Sequence, residues 1–239
     1  MDCLVKYSNG NRKLNSLANY LNMPKSGVYS YDLPAGHSCP AADICQTMAD
    51  RNTGKVTKGK NNKVFCYAVK SESPYPSVRK MRWGNFDAVK ALINDPESIA
   101  QMLLDAFPKK AKVVRVHSSG DFFHKNYFTA WQYVAMEKQD VQFFGYSKML
   151  PFIIDAGKTL SNFNFAYSVG GKADKKALPL IKNGDIHANF IITEDWEKSA
   201  NGTHAYNSEY DITVPIMDSK YPYDYPFITR GITFGILEH

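Results

Sequence analysis

The sequence predicts an α/β protein: a single parallel β/α barrel, complete or partial and TIM-like, with six to eight strands and a long cysteine-bearing loop after the first strand. Three observations predict it. From residue 78 onward, apolar strand segments alternate with helical segments of roughly 10–15 residues, the pattern of parallel βαβ units. Polar residues gather where those strands end. Residues 35–63, after the first strand, have no hydrophobic period and are rich in Gly, Asn and Lys, as a long functional loop would be.

The elements follow in order. Leu14, Leu17, Ala18 and Leu21 fall at i, i+3, i+4 and i+7, so residues 11–22 read as a short amphipathic helix. Residues 27–33 (GVYSYDL) alternate as a strand does and stop at Pro34-Ala35-Gly36. Helices are expected at 78–94 and 97–107, a strand at 112–117, a helix at 125–138 and a strand at 141–146. A short helix near 151–158, a strand at 163–168, a helix at 172–183 and strands at 187–193 and 212–216 complete six strands. A seventh or eighth is a candidate near 227–236. No G-x-G-x-x-G or G-x-x-x-x-G-K-[ST] occurs, which leaves dinucleotide and P-loop chemistry without support. Residues 1–236 are read as one domain with a basic insertion at about 35–75, and 237–239 as the start of a vector-encoded tag.

At 239 residues and 44% hydrophobic, one domain can bury a core without disulfide staples, and four cysteines are too few for a disulfide scaffold. The N-terminus carries Asp2 and no apolar run, and no stretch of 18 apolar residues exists. The expectation is a soluble cytoplasmic protein. The net charge of +6 is unevenly placed. Between Arg51 and Lys90 stand ten Lys/Arg against Glu72 and Asp87, whereas residues 185–239 hold nine acids and three bases. A basic stretch interleaved with Phe65, Tyr67, Tyr75, Trp83 and Phe86 suits a phosphate-bearing partner, nucleic acid or nucleotide. Lys58, Lys60, Lys63, Arg79 and Arg82 are the expected phosphate contacts.

In a parallel barrel the reaction site lies at the C-terminal ends of the strands. There the sequence places His117-Ser118-Ser119-Gly120-Asp121, Tyr146-Ser147-Lys148, Tyr167-Ser168-Val169-Gly170-Gly171, Thr193-Glu194-Asp195 and Met217-Asp218. Each could equally be a turn or helix cap. Asp121, following a glycine that permits close approach, suits a nucleophile, general base or substrate acceptor. His117, Tyr146 and Lys148 join it as candidates for catalysis. Ser118, Ser119, Tyr167 and a Gly170-Gly171 backbone nest are candidates for binding. Cys39, Cys45 and Cys66 form the second constellation. Three thiolates in a reducing compartment point to metal: an iron–sulfur cluster with one open position, or zinc closed by a fourth ligand such as His37. Cys3 and the Asn201-Gly202-Thr203 sequon are read as incidental.

Leu33-Pro34-Ala35-Gly36 leading to Cys39-Pro40 and Cys45, then Cys66-Tyr67-Ala68, Arg115-Val116-His117-Ser118-Ser119-Gly120-Asp121-Phe122, and Tyr127-Phe128-x-x-Trp131, together resemble the phage "gene product 88" family over about residues 28–170. That resemblance implies a phage or mobile-element origin more than a reaction. Cysteines after the first barrel strand are similar to those of radical-SAM enzymes, which implies S-adenosylmethionine as a ligand. The spacing C-x5-C-x20-C departs from their C-x3-C-x2-C. The tRNA-guanine transglycosylase group is also similar, with an Asp nucleophile (Asp121) and a base-reading Gly-Gly loop (Gly170-Gly171), although its zinc cysteines lie near the C-terminus. Three functions are therefore expected in order. The first is a phage metal-centre enzyme with a three-cysteine [4Fe–4S] site acting on nucleic acid or nucleotide. The second is a zinc-containing base-exchange transglycosylase using Asp121. The third is a non-catalytic nucleic-acid-binding or host-inhibiting phage protein.

Overall fold

The computed structural model describes residues 5–217 and 225–237; Cys3, Asp218 and most of the supposed tag lie outside the described residues. In chain order the elements are α1 (Arg12–Tyr20), β1 (Val28–Tyr31), β2 (Thr47–Ala49), β3 (Val56–Lys58), α2 (Val69–Glu72), α3 (Pro76–Ala91), α4 (Pro96–Asp105) and β4 (Val113–Val116). There follow α5 (Lys125–Glu137), β5 (Gln142–Ser147), α6 (Leu150–Thr159), β6 (Phe163–Ser168), α7 (Asp174–Lys182), β7 (Ala188–Ile192), β8 (Glu197–Lys198), β9 (His204–Asn207), β10 (Ile212–Pro215), α8 (Tyr225–Thr229) and β11 (Phe234–Leu237). Among the described residues no helix is long and apolar enough to cross a membrane.

Six strands pair in the order β1-β4-β5-β6-β7-β11, every pair parallel, so the chain winds across the sheet in one direction. Among the described residues no pairing joins β1 to β11, and a closed barrel is not formed. The strands are buried on both faces, which is why they read as nearly continuous apolar runs. On one face Val28, Val113, Phe144, Ala166 and Phe234 pack with Leu14, Leu17 and Ala18 of α1 and Ile228 of α8. On the other, Tyr31, Val114, Phe143, Phe165 and Phe190 join a larger core with Leu103 of α4 and Trp131 of α5. Helix starts follow local chemistry: Asp95 caps α4 by accepting from the Ser98 N–H (3.0 Å), and Pro occupies an opening position of both α3 and α4.

Two strand assignments need correction. Residues 212–215 form β10, but β10 belongs to a separate antiparallel sheet, β10-β9-β8, and the chain meets the parallel sheet just after it through an isolated parallel bridge from Ile216 to Gly235. A parallel return needs a crossover of a dozen or more residues, usually a helix, and the polar turns between β7 and β10 supply only hairpins. The sixth parallel strand is instead β11, which overlaps the 227–236 candidate. The segment at 35–63 is also less loose than its composition suggests, because β2 and β3 pair antiparallel within it.

One face of the sheet is covered by α1, and Leu17 is buried among the strand residues there. Leu17→Ala is expected to cost about 2–4 kcal/mol in urea unfolding, against less than about 0.5 kcal/mol for the exposed Tyr20→Ala. Equal effects of the two would place α1 outside the core.

Candidate functional site

A cavity of about 220 Å³ opens at the C-terminal ends of the parallel strands, and Cys39, Cys45 and Cys66 line it together with Asp121. The turn after β4 contributes His117, Ser118 and Ser119, the end of β5 gives Tyr146 and Lys148, and Ser168 and Asn189 come from β6 and β7. The sequence-level candidates thus divide cleanly. The cysteines, Asp121, His117, Tyr146, Lys148, Ser118 and Ser119 share this cavity, whereas Tyr167, Gly170, Gly171, His37 and the basic residues do not form its lining.

The turn after β4 is held in an unusual backbone. His117 has φ 73 and Gly120 φ 90; a Cβ on Gly120 would come within 2.6 Å of Leu33 and Ser38. Asp32, just beyond β1, fixes that turn by accepting from the Ser118 and Ser119 N–H groups (2.7 and 3.3 Å). Asp121 in turn ties β4 to β5: its carboxylate accepts from Ser147 Oγ (2.6 Å), the Lys148 N–H (2.9 Å) and the Phe122 N–H (2.7 Å). Burial pushes the Asp121 carboxyl up to about 6, with those hydrogen bonds opposing. The Lys148 ammonium donates to the Ser168 and Val169 carbonyls and Ser168 Oγ, joining β5 to β6.

The cysteines come from two segments that separate clamps hold. The Asp43 and Ile44 N–H groups donate to the Gly170 carbonyl, which fixes the stretch before Cys45. The Cys66 N–H donates to Thr47 Oγ1 (3.2 Å), and the Tyr67 hydroxyl donates to the Ser118 carbonyl (2.7 Å). Beneath them Glu72, fully buried, accepts from Arg82 (2.9 Å) and from the Ala35 N–H (3.0 Å). All three thiols are free of disulfides. Burial pushes the Cys39 thiol well up, and Asp121, Cys66 and Cys45 add to that through their charges, so the four groups lie within electrostatic reach. Burial and the Cys45 charge likewise raise the Cys66 thiol. Among the described residues, no three of His, Cys, Asp and Glu stand close enough to chelate one ion.

Several expected roles change on this geometry. Arg79 and Arg82 are buried and not available to phosphate: Arg79 donates to the backbone carbonyls of Arg51, Asn52, Glu72 and Ser73, and Arg82 pairs with Glu72. The Gly170 and Gly171 N–H groups, read as an anion nest, both donate to Asp174 (2.8 and 3.0 Å). The Tyr167 hydroxyl donates to Asp174 too. His37 Nε2 lies 3.1 Å from the Ala49 carbonyl and its ring packs on Trp83, so it does not face the thiols. Lys58, Lys60 and Lys63 are exposed. The sequence reading gave no role to Asp32, Glu72, Arg115 or Asn189. A single charge inside the apolar strand Val113-Val114-Arg115-Val116 was the signal for Arg115.

The model of the "Gene product 88" family matches residues 4–227. The chain belongs to the gene product 88 family. It is 29% identical over 149 residues to the Gene 88 protein of Mycobacterium phage L5, covering 56% of this chain and 55% of that protein. It is 28% identical over 169 residues to the Gene 88 protein of Mycobacterium phage D29, covering 64% and 63%. These alignments span less than two thirds of either relative. No solved structure matches, so the likeness to radical-SAM and transglycosylase barrels has no structural neighbour behind it.

Two outcomes test this member of the gene product 88 family. Burial lowers the His117 imidazole to about 3, below its unfolded value near 6.5. The neutral ring's contribution is therefore whole above about 6.5 and is lost as pH falls from there toward 3. The His117 ring resonances should hold still from pH 8 to about 4.5; a titration centred near 6.5 would contradict the burial. Arg82→Met strands a buried carboxylate and should cost about 3–5 kcal/mol in urea unfolding and speed maleimide labelling of Cys66. Lys60→Met should cost less than about 0.5 kcal/mol.

Proposed function

We propose that this protein is a metal-centre enzyme on a partial β/α barrel, whose Cys39, Cys45 and Cys66 hold a [4Fe–4S] cluster beside a cavity that receives nucleic acid or a nucleotide. One observation carries the reading: three cysteines from two distant segments line the same cavity as Asp121. Three thiolates are a soft donor set of the kind that holds iron–sulfur clusters and zinc, and the cluster is the preferred reading because His37, the fourth ligand expected for a closed zinc site, does not line the cavity.

Bound there through three thiolates, the cluster would supply one-electron chemistry and an iron open to a small ligand such as S-adenosylmethionine. The chain's own residues do the rest. Asp121, near 6, exchanges a proton close to neutrality and stands where the β4 and β5 ends converge. Lys148 keeps the β5 and β6 ends in register through its three acceptors. Tyr146 forms part of the wall. Exposed Lys58, Lys60 and Lys63 would bind phosphates outside the cavity, in a stretch from residue 51 to 71 with no acidic residue. The cytoplasm of a bacterial cell, which keeps thiols reduced, suits such a centre.

Anaerobically purified protein should be brown and contain about four irons per chain with matching acid-labile sulfide. Cys39→Ser, Cys45→Ser and Cys66→Ser should each remove most of the absorption, while Cys3→Ser leaves it. Stoichiometric zinc without iron, or no metal at all, would overturn the proposal.

A further inference from the structure

We infer that the group entering the cavity is a single unstacked nucleobase, delivered by a single strand whose phosphates lie on the exposed lysines. The inference rests on the proposed nucleic-acid reading and narrows its substrate class. The cavity lining contains three polar side chains with an unmet hydrogen-bonding atom: His117 Nδ1, Ser118 Oγ and Asn189 Oδ1. Those residues are only 4%, 5% and 5% exposed; other interior atoms, Glu72 Oε1 and Trp131 Nε1 among them, also lack a partner, but these three share one cavity. Three such atoms around one cavity mark places that a ligand completes.

Their chemistry selects the ligand. The Asn189 carbonyl oxygen only accepts, the Ser118 hydroxyl donates or accepts, and the neutral imidazole, its Nε2 already bonded to the Tyr127 hydroxyl (2.8 Å), offers Nδ1 as donor or acceptor according to tautomer. Arg115, Lys13 and Lys148 line the same cavity, so its donors include cations, but the accepting Asn189 amide oxygen asks in addition for a donor that a bare anion lacks. A nucleobase edge offers adjacent donors and acceptors in its plane. The mouth is equally suited. Phe65 and Tyr67, 37% and 38% exposed, line the cavity, and the Tyr67 ring is oriented by its hydroxyl bond to the Ser118 carbonyl and by the Lys13 ammonium 4.7 Å from its centroid. Exposed Lys58, Lys60, Lys63 and Lys70 flank these rings along the chain. Aromatic rings among lysines are how single strands are held without sequence preference. A duplex would have to give up pairing and stacking before one of its bases could enter a pocket of about 220 Å³.

Fluorescence anisotropy tests this with three probes: a labelled single strand of about a dozen nucleotides, its duplex, and the same strand made abasic at its inner positions. The single strand should bind roughly tenfold or more tightly than either of the others. Ser118→Ala and Asn189→Leu should weaken single-strand binding about tenfold, leave abasic-strand binding unchanged, and leave the melting temperature unchanged or raised, because each removes an atom without a partner. Changing Lys58, Lys60 and Lys63 together to Glu should weaken every strand and flatten the log–log salt slope by about 2. Duplex or abasic strand binding as tightly as the intact strand would overturn the inference, as would pocket variants that keep full affinity or lose it only by unfolding. Iron content of the same preparations separates the two readings. Full cluster with base-independent binding removes this inference alone, and base-dependent binding without metal removes the cluster alone.

Discussion

The buried ion pair between Glu72 and Arg82 decides where the third sulfur sits. Glu72 is fully enclosed, and one of its two carboxylate oxygens, Oε2, meets both the Arg82 guanidinium and the Ala35 N–H. Ala35 lies just ahead of Cys39, and Glu72 just beyond Cys66. The carboxylate therefore binds the two cysteine-bearing segments to each other and, through Arg82, to α3. Such a pair costs much to desolvate and contributes little net stability against an apolar replacement. What it supplies is placement, because neither partner can leave without stranding a charge in the interior. The Leu33-Pro34-Ala35-Gly36 segment and the Cys66-Tyr67-Ala68 segment thus behave as one unit, although about thirty residues separate them in the chain.

Two further carboxylates play a matching part at the sheet. Asp121 gathers the Ser147 hydroxyl and the Lys148 and Phe122 N–H groups, and Asp32 gathers the Ser118 and Ser119 N–H groups. Parallel strands end side by side, so short polar bridges between neighbouring ends are enough to build a floor. Burial raises the Asp121 carboxyl to about 6 and lowers the His117 ring to about 3, disfavouring the charged form of each for the same reason. The cavity therefore sets these two groups beside sulfur on one side and the Lys148 and Arg115 cations on the other, whereas Lys58, Lys60 and Lys63 are exposed to water.

Much of the fold was legible in the sequence. Strand-ward alternation in GVYSYDL and the apolar runs at 113–116, 142–147, 163–168 and 188–192 identify five of the six parallel strands, and the helices between them follow from period. The assignment of 212–216 to that sheet failed because a strand's own pattern says nothing of its partner; only the missing crossover helix before it did. The cavity's membership was half visible. Cys39, Cys45, Cys66 and Asp121 stood out by type and spacing, but Glu72, Asp32 and Asn189 are ordinary residues until burial gives them meaning. Arg79, Arg82 and the Gly170-Gly171 pair misled for the converse reason, since charge and flexibility show in a sequence while the internal partners that satisfy them do not.

Membership of the gene product 88 family places this chain beside phage proteins, and the geometry adds a sulfur-lined chamber to that kinship. Iron-edge X-ray absorption on anaerobic protein examines the central claim directly. The account predicts iron in a sulfur shell with a short iron–iron vector, both lost together in the Cys66→Ser variant. A first shell of nitrogen and oxygen, or a sulfur shell that survives loss of Cys66, would contradict it.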